Sequence, residues 1–382
     1  MSRFLSKKYS TLEPYVPGEQ PQDMGRYIKL NTNESPFPPS PKALAYAEKN
    51  TRSQNLYSDP NSADLTRALA KTYGVEYENV LATNGSDEIL NFAFMAYTDK
   101  ENPALFADVT YGFYPVFAEL NGSAYEIVPL REDFSLCVDN YIGRKGTVFI
   151  ANPNAPTGVA IPASEIERLA ASDRSRIVVV DEAYVDFGAE SCVELTKKYD
   201  NILVCQTFSK SRSFAGGRLG YGIASREIIA DLNAIKYSTN PYNVNSMTSA
   251  IGIGILSDPD YMKANCRTIM GNRAFTVAGL EKLGFKVLPS SANFIFVSSP
   301  RVEGGEYYRR MKEKGILVRH FDKNIISNWC RVTIGSRDSM EAFLKATKYE
   351  AHFVQVRDCS WKMERADKTA PKYQSISSYD AV

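Results

Sequence analysis

The sequence predicts an α/β protein: a large domain with a mainly parallel central sheet flanked by helices, followed by a smaller α+β domain. Short apolar strands alternate with helical patterns from about residue 48 to 285, the pattern of a doubly wound sheet. Several of these strands lack polar alternation, as expected where both faces are covered, and each ends in polar or glycine-containing residues. The chemistry therefore gathers on one edge of the sheet. A length of 382 residues also exceeds what one core usually serves.

The elements follow in order. Residues 1–47 form an N-terminal arm expected to join the small domain; its start, Met1 to Tyr9, lacks the apolar stretch of a signal peptide. Within the large domain (48–285), Val80-Leu81-Ala82 reads as a strand and Ile89 to Tyr97 as a helix. Between them, Thr83-Asn84-Gly85-Ser86-Asp87-Glu88 gives a glycine turn and a helix start, where free backbone N–H groups favour an anion. Gly85 permits close approach and Ser86 adds a donor, while Asp87 is expected to cap the helix, since it would repel an anion. Thr147–Ala151, Ile177–Val180 and Asn201–Gln206 are further buried strands. From Phe285 the pattern changes to Val287-Leu288-Pro289, Asn293–Val297, a helix near Tyr307–Lys314 and two arginine-bearing strands, the small domain over 286–350. Residues 351–382 show no long periodic run and read as a flexible extension.

Two strand ends carry the chemistry. Asp181 closes the run Ile177-Val178-Val179-Val180, and Lys210 follows Thr207-Phe208-Ser209. A lysine serves covalent chemistry when neighbouring positive charge favours its neutral or condensed form, and Arg218 lies eight residues on, beyond the pair Gly216-Gly217. Hydroxyls and a guanidinium are also the groups that hold a phosphate. A lysine beside a phosphate site, with a buried carboxylate able to keep a pyridine nitrogen protonated, points to pyridoxal 5'-phosphate. Tyr184, three residues after Asp181, could reach the phenolic oxygen of that cofactor.

These segments resemble those of the histidinol-phosphate aminotransferase family, within the fold-type I, class I and II pyridoxal-phosphate aminotransferases. The resemblance spans roughly residues 10 to 348. It includes Leu12-Glu13-Pro14-Tyr15-Val16-Pro17-Gly18, Leu30-Asn31-Thr32-Asn33-Glu34-Ser35-Pro36, Tyr57-Ser58-Asp59-Pro60, Thr110-Tyr111-Gly112-Phe113-Tyr114, Asn152-Pro153-Asn154-Ala155-Pro156-Thr157-Gly158, Ile316-Leu317-Val318-Arg319 and Cys330-Arg331-Val332-Thr333-Ile334-Gly335. The resemblance implies that Lys210 forms the internal aldimine and shuttles the proton, that Asp181 pairs with the pyridinium, and that Tyr184 holds the phenolic oxygen. It implies that Tyr111 stacks on the ring and that Gly85, Ser86, Asp87, Thr207, Ser209 and Arg218 grip the phosphate. Tyr57 would reach the neighbouring subunit's phosphate site, which makes a homodimer part of the expectation. Arg331 and Arg319, with Tyr15, would recognise the anionic end of the substrate, and Asn33-Glu34 would line the same cavity. With 23 tyrosines in the chain, simple packing is the competing role for each of them.

One departure stands out. The family usually has asparagine before Pro-Thr-Gly, where its amide bonds the phenolic oxygen; this chain has Ala155, whose methyl donates nothing. Asn154, a water, or Tyr184 alone is left to fill that role.

Charge and composition exclude other classes. The 45 Lys and Arg against 44 Asp and Glu give no electrostatic case for nucleic acid. Apolar runs such as Ile251–Leu256 are too short to span a bilayer. Six cysteines without a Cys-x-x-Cys pair argue against zinc and suit a reducing cytoplasm, and two histidines leave little for a metal site or a Ser-His-Asp triad. The resemblance implies L-histidinol phosphate and 2-oxoglutarate as substrates. Aromatic amino-acid transamination and a threonine-phosphate decarboxylase-like lyase are the alternatives from the same family. A non-catalytic binding protein on this fold is the reading from outside catalysis.

Overall fold

The computed structural model describes residues 2–10, 12–299 and 301–348; the extension expected over 351–382 lies outside the described residues. The main sheet has seven strands: β1 (Val80–Thr83), β2 (Ala104–Ala107), β3 (Tyr125–Val128), β4 (Thr147–Ala151), β5 (Val178–Asp181), β6 (Ile202–Thr207) and β7 (Gly220–Ile223). Their order is β1-β7-β6-β5-β4-β2-β3. All neighbouring pairs are parallel except those of β7, which runs antiparallel to β6 and to β1. The sheet is thus mainly parallel, as expected, with one reversal that the strand pattern does not reveal. Its cause is local. The segment carrying Lys210 stays on the carboxyl edge of the sheet and closes with a bond from Phe208 N–H to the Leu219 carbonyl. β7 therefore begins where β6 ends and can only run back.

Burial explains the uninterrupted apolar strands. Val178, Val180, Ile202, Val204, Val148 and Ile150 pack on one face, while Val179, Leu203, Cys205, Phe149 and Phe106 pack on the other. Every residue of β4, β5 and β6 is buried. Only the edge strand β3 turns residues to solvent, at Tyr125, Glu126 and Ile127.

The second sheet is antiparallel, in the order β10-β11-β9-β8, and comprises β8 (Lys286–Val287), β9 (Phe294–Ser298), β10 (Arg319–His320) and β11 (Cys330–Thr333). The helix expected near 307–314 runs from Gly304 to Glu313. The first arginine strand divides in two. Ile316–Leu317 pairs in parallel with Ile28–Lys29 of the arm, and Arg319–His320 then turns onto β11. In that register Arg319 stands directly opposite Arg331. Like charges at facing positions are unfavourable, and Arg319 and Arg331 repel each other.

One glycine fixes how the phosphate-type turn sits. A Cβ on Gly220 would lie 2.3 Å from Ser86 N and 2.4 Å from Gly85 C, so the backbone of the turn after β1 rests directly on β7. Overpacking against backbone costs about 1–3 kcal/mol. Gly220→Ala is accordingly expected to lower the unfolding free energy by about 2 kcal/mol in urea denaturation; an unchanged midpoint would show that the turn yields freely.

Candidate active site

The carboxyl ends of β1, β5 and β6, the arm and the second sheet enclose one cavity of about 790 Å³. Strand β5 delivers Asp181 and then Tyr184; β6 delivers Thr207, then Ser209 and Lys210; the turn after β1 delivers Ser86 and Asp87. Tyr111, Arg218, Arg319, Arg331, Tyr15 and Asn33 complete the expected set along the wall. Gly85 lies just behind it, where the Arg218 guanidinium would come within 2.7 Å of any Cβ.

Two further expected residues are not in the wall. Tyr57 stands apart, 84% exposed and stacked on Tyr242 at 4.7 Å. Glu34 turns away, accepting from Lys29 and from Thr32 Oγ1.

Lys210 donates to the Thr32 carbonyl at 3.3 Å and lies over the Tyr184 ring. Packing around its amine, reinforced by the Arg331 and Arg218 charges and opposed by Asp87 and Glu34, pushes its pKa down to about 8. A useful fraction of neutral amine is therefore present near neutral pH. Asp181 is 6% exposed. It accepts from Ala183 N–H at 3.2 Å and from the Tyr114 hydroxyl at 3.3 Å, with no cation in ion-pair contact among the described residues. Burial pushes it up to about 7 despite these donors. Such a carboxylate is suited to a cationic ring nitrogen. Tyr114, as its hydroxyl donor, is a site residue that the sequence reading missed, because a buried tyrosine in a helix looks like packing.

The expected cap at Asp87 is not made. Its carboxylate instead accepts from the Tyr111 hydroxyl at 2.7 Å and pairs with Arg218 at 3.1 Å. Glu88 takes the local role, accepting from Asn84 N–H at 2.7 Å. Burial and the Asp87 charge push the Tyr111 phenol well above its ordinary range, so it stays protonated. Arg218 itself sits at φ +51°, a left-handed conformation unusual outside glycine and found where the surroundings over-determine the backbone. Thr207 Oγ1 donates to Ser209 Oγ at 2.9 Å and accepts from Ser209 N–H at 3.1 Å.

Arg331 is half-buried and donates Nη2 to the Asn31 carbonyl at 3.0 Å, but its Nε is sealed from solvent without a partner. Burial lowers its pKa, with Arg319 adding repulsion against the favourable tyrosines Tyr184 and Tyr15. Arg319 donates to the carbonyls of Val16 and Pro17, at 3.0 and 3.2 Å, and so ties the arm to the cavity mouth. Tyr15 stacks on Phe113 at 4.2 Å beside it.

Ala155 lines the cavity and packs with Tyr184, Ala292 and Phe294. Asn154 cannot stand in for the missing amide. Its Oδ1 accepts from Thr110 at 2.8 Å, and its Nδ2 donates to the Val109 carbonyl at 2.9 Å and to Thr157 at 3.0 Å.

The donor set fits pyridoxal 5'-phosphate. Asp181 matches the ring nitrogen, Lys210 the aldehyde and Tyr184 the phenolic oxygen. Thr207, Ser209, Arg218 and the start of the helix Ser86–Tyr97 match the phosphate. A doubly wound sheet with this set on its carboxyl edge defines the fold-type I class of pyridoxal-phosphate transferases. The sequence model of the family aminotransferase class I and II matches residues 26–346. The chain belongs to that family and, within it, to the histidinol-phosphate aminotransferases. It is 44% identical over 351 residues to the histidinol-phosphate aminotransferase of Brachyspira hyodysenteriae, covering 91% of this chain and 99% of that one. It is 42% identical over 349 residues to that of Clostridium botulinum, covering 91% and 98%. In fold it matches the Sinorhizobium meliloti histidinol-phosphate aminotransferase, a complex with pyridoxal-5'-phosphate, with a TM-score of 0.82 at 22% identity over 92% of this chain and 100% of that one.

The raised pKa of Asp181 has a consequence for stability. Ionising it inside the cofactor-free fold is unfavourable, so its contribution is intact below its ordinary value of 3.8 and is lost as pH rises through about 7. Asp181→Asn should therefore raise the thermal midpoint of cofactor-free protein at pH 8, with the gain gone by about pH 4, while weakening cofactor binding. Identical midpoints at pH 8 would contradict the burial argument.

Proposed function

We propose that this protein transfers the amino group of L-histidinol phosphate to 2-oxoglutarate, giving imidazole acetol phosphate and L-glutamate, a step of histidine biosynthesis. The observation that carries this reading is the facing pair Arg319 and Arg331 in the wall of a cavity that also holds a separate phosphate cradle at Arg218. Guanidinium forks suit phosphate and carboxylate alike, so both substrates can use the same anion site in turn. The identity to relatives named for this activity supports the substrate assignment.

Pyridoxal phosphate, when bound, supplies the electron sink that makes the amino group exchangeable. The chain supplies the rest. Lys210, with its lowered pKa, would hold the cofactor through its amine and is placed to carry the proton. Asp181 holds the ring nitrogen's proton, and Tyr184 donates to the phenolic oxygen. Tyr111, its hydroxyl fixed by Asp87, would pack against the ring. Gly85, Ser86, Thr207, Ser209 and Arg218 hold the cofactor phosphate, while Arg319, Arg331, Tyr15 and Asn33 form the substrate side.

The exposed Tyr57 belongs to a homodimer in which it crosses to the neighbouring phosphate site. The reading takes residues 48–285 as the cofactor domain and 286–350, with the arm 1–47, as the closing unit. Among the described residues no helix is long and apolar enough to cross a membrane, and the cytoplasm is the proposed location. Aromatic amino acids remain a second reading, favoured by the apolar wall of Phe113, Phe321 and Ile326, which accepts an imidazole or a phenyl ring.

The test is to mix holoenzyme separately with histidinol phosphate, phenylalanine and threonine phosphate, and to follow the cofactor's visible absorbance. Fast loss with histidinol phosphate, outpacing the others, is expected. Equal or faster reaction with phenylalanine would make the protein a general aromatic aminotransferase, and carbon dioxide release without an oxo acid would make it a lyase. Arg319→Ala should raise KM for histidinol phosphate by at least about tenfold, the scale of one charged hydrogen bond, and change phenylalanine less. An equal loss on both would remove Arg319 from the phosphate end.

A further inference from the structure

Asn33 is held more tightly than a residue lining a substrate pocket requires. It is 1% exposed and sits at φ +58°, in the left-handed region. Its N–H donates to Thr333 Oγ1 at 2.9 Å, and that hydroxyl returns its proton to Asn33 Oδ1 at 3.1 Å. Its carbonyl accepts from Asn293 Nδ2 at 2.9 Å. With the backbone and Oδ1 committed, the amide Nδ2 is presented to the Tyr184 hydroxyl at 2.9 Å. The Tyr184 ring is itself fixed edge-on against Phe294, at 4.9 Å and 90°.

We propose that Asn33 is a positioning residue for Tyr184, and that through the Tyr184 hydroxyl it supplies the polarisation lost where Ala155 replaces the amide next to the cofactor. The inference rests on the pyridoxal-phosphate reading of the site. A donor on the Tyr184 oxygen does two things. It occupies an oxygen lone pair, so the hydroxyl proton cannot point at Asn33 and is directed into the cavity. It also draws charge off the oxygen, which makes the O–H a stronger donor, as in any hydrogen-bond chain. Tyr184 working alone then offers more than an isolated phenol. Neither neighbour of the turn competes for this task, since Asn154 is spent on Thr110, Val109 and Thr157, and Ala155 has no donor.

A hydrogen bond to the cofactor's phenolic oxygen reduces the negative charge that retains the chromophore's proton, so it lowers the pH midpoint of the visible absorbance. That midpoint, in substrate-free holoenzyme, is the readout, and a merely structural residue would not move it. Asn33→Gly removes the amide while accepting the left-handed backbone. Its midpoint should rise by about 0.5–1 pH unit, the scale of one hydrogen bond. Asn33→Asp tolerates the same backbone but offers Tyr184 an acceptor, pulling its proton away from the cofactor; the midpoint should rise at least as far. In a Tyr184→Phe background, Asn33→Gly should add nothing. A wild-type midpoint in Asn33→Gly, or the same shift persisting with phenylalanine at position 184, would overturn the proposal. Absence of any visible band in the wild-type protein mixed with pyridoxal phosphate would instead overturn the cofactor reading beneath it.

Discussion

The feature on which the site depends is charge held in poorly solvated positions without its counter-charge. Arg331 has its pKa lowered by burial beside the facing Arg319, Lys210 has its amine pKa pushed to about 8, and Asp181 has its carboxyl raised to about 7. Each departure is unfavourable in isolation, because a group withdrawn from water loses solvation that only a well-placed partner restores. Together they describe the complement of a cofactor with a cationic ring nitrogen and an aldehyde, and of a substrate with an anionic end. The sheet makes this tolerable. With β4, β5 and β6 wholly buried, the apolar core that fixes these strand ends is extensive compared with the few polar groups it must hold.

Much of the site was legible because strand ends and turns carry their residues in sequence order. Asp181, Thr207 and Lys210 follow apolar runs directly, and a buried parallel strand has only one end at which a polar residue can serve a ligand. What the sequence did not reveal depends on contacts between distant segments. The antiparallel β7 follows from the Lys210 loop closing between Phe208 and Leu219, which no local propensity encodes. The split of the first arginine strand comes from the arm at Ile28–Lys29 pairing with Ile316–Leu317, across almost the whole chain. Asp87 offered a sound local reason to cap its helix, and the pull of Arg218 and Tyr111 overrode it. Glu34 was lost to the site for a similar reason, captured by the nearby Lys29.

The departure at Ala155 shows how a site can redistribute a task. The turn keeps its asparagine at position 154 but uses it to brace Val109 and Thr110, so its amide serves the scaffold. The compensating amide comes from the arm, where Thr333 and Asn293 fix Asn33 in a backbone conformation few residues accept. The arm is therefore part of the chemistry as well as of the cavity wall. Arg319 ties it down through the Val16 and Pro17 carbonyls, within reach of the anion site it borders.

The most direct test of this account is to reduce the holoenzyme with borohydride and map the modified peptide by mass spectrometry. The account predicts a single phosphopyridoxyl group, carried by Lys210. A phosphopyridoxyl group on another lysine, or none at all, would contradict it.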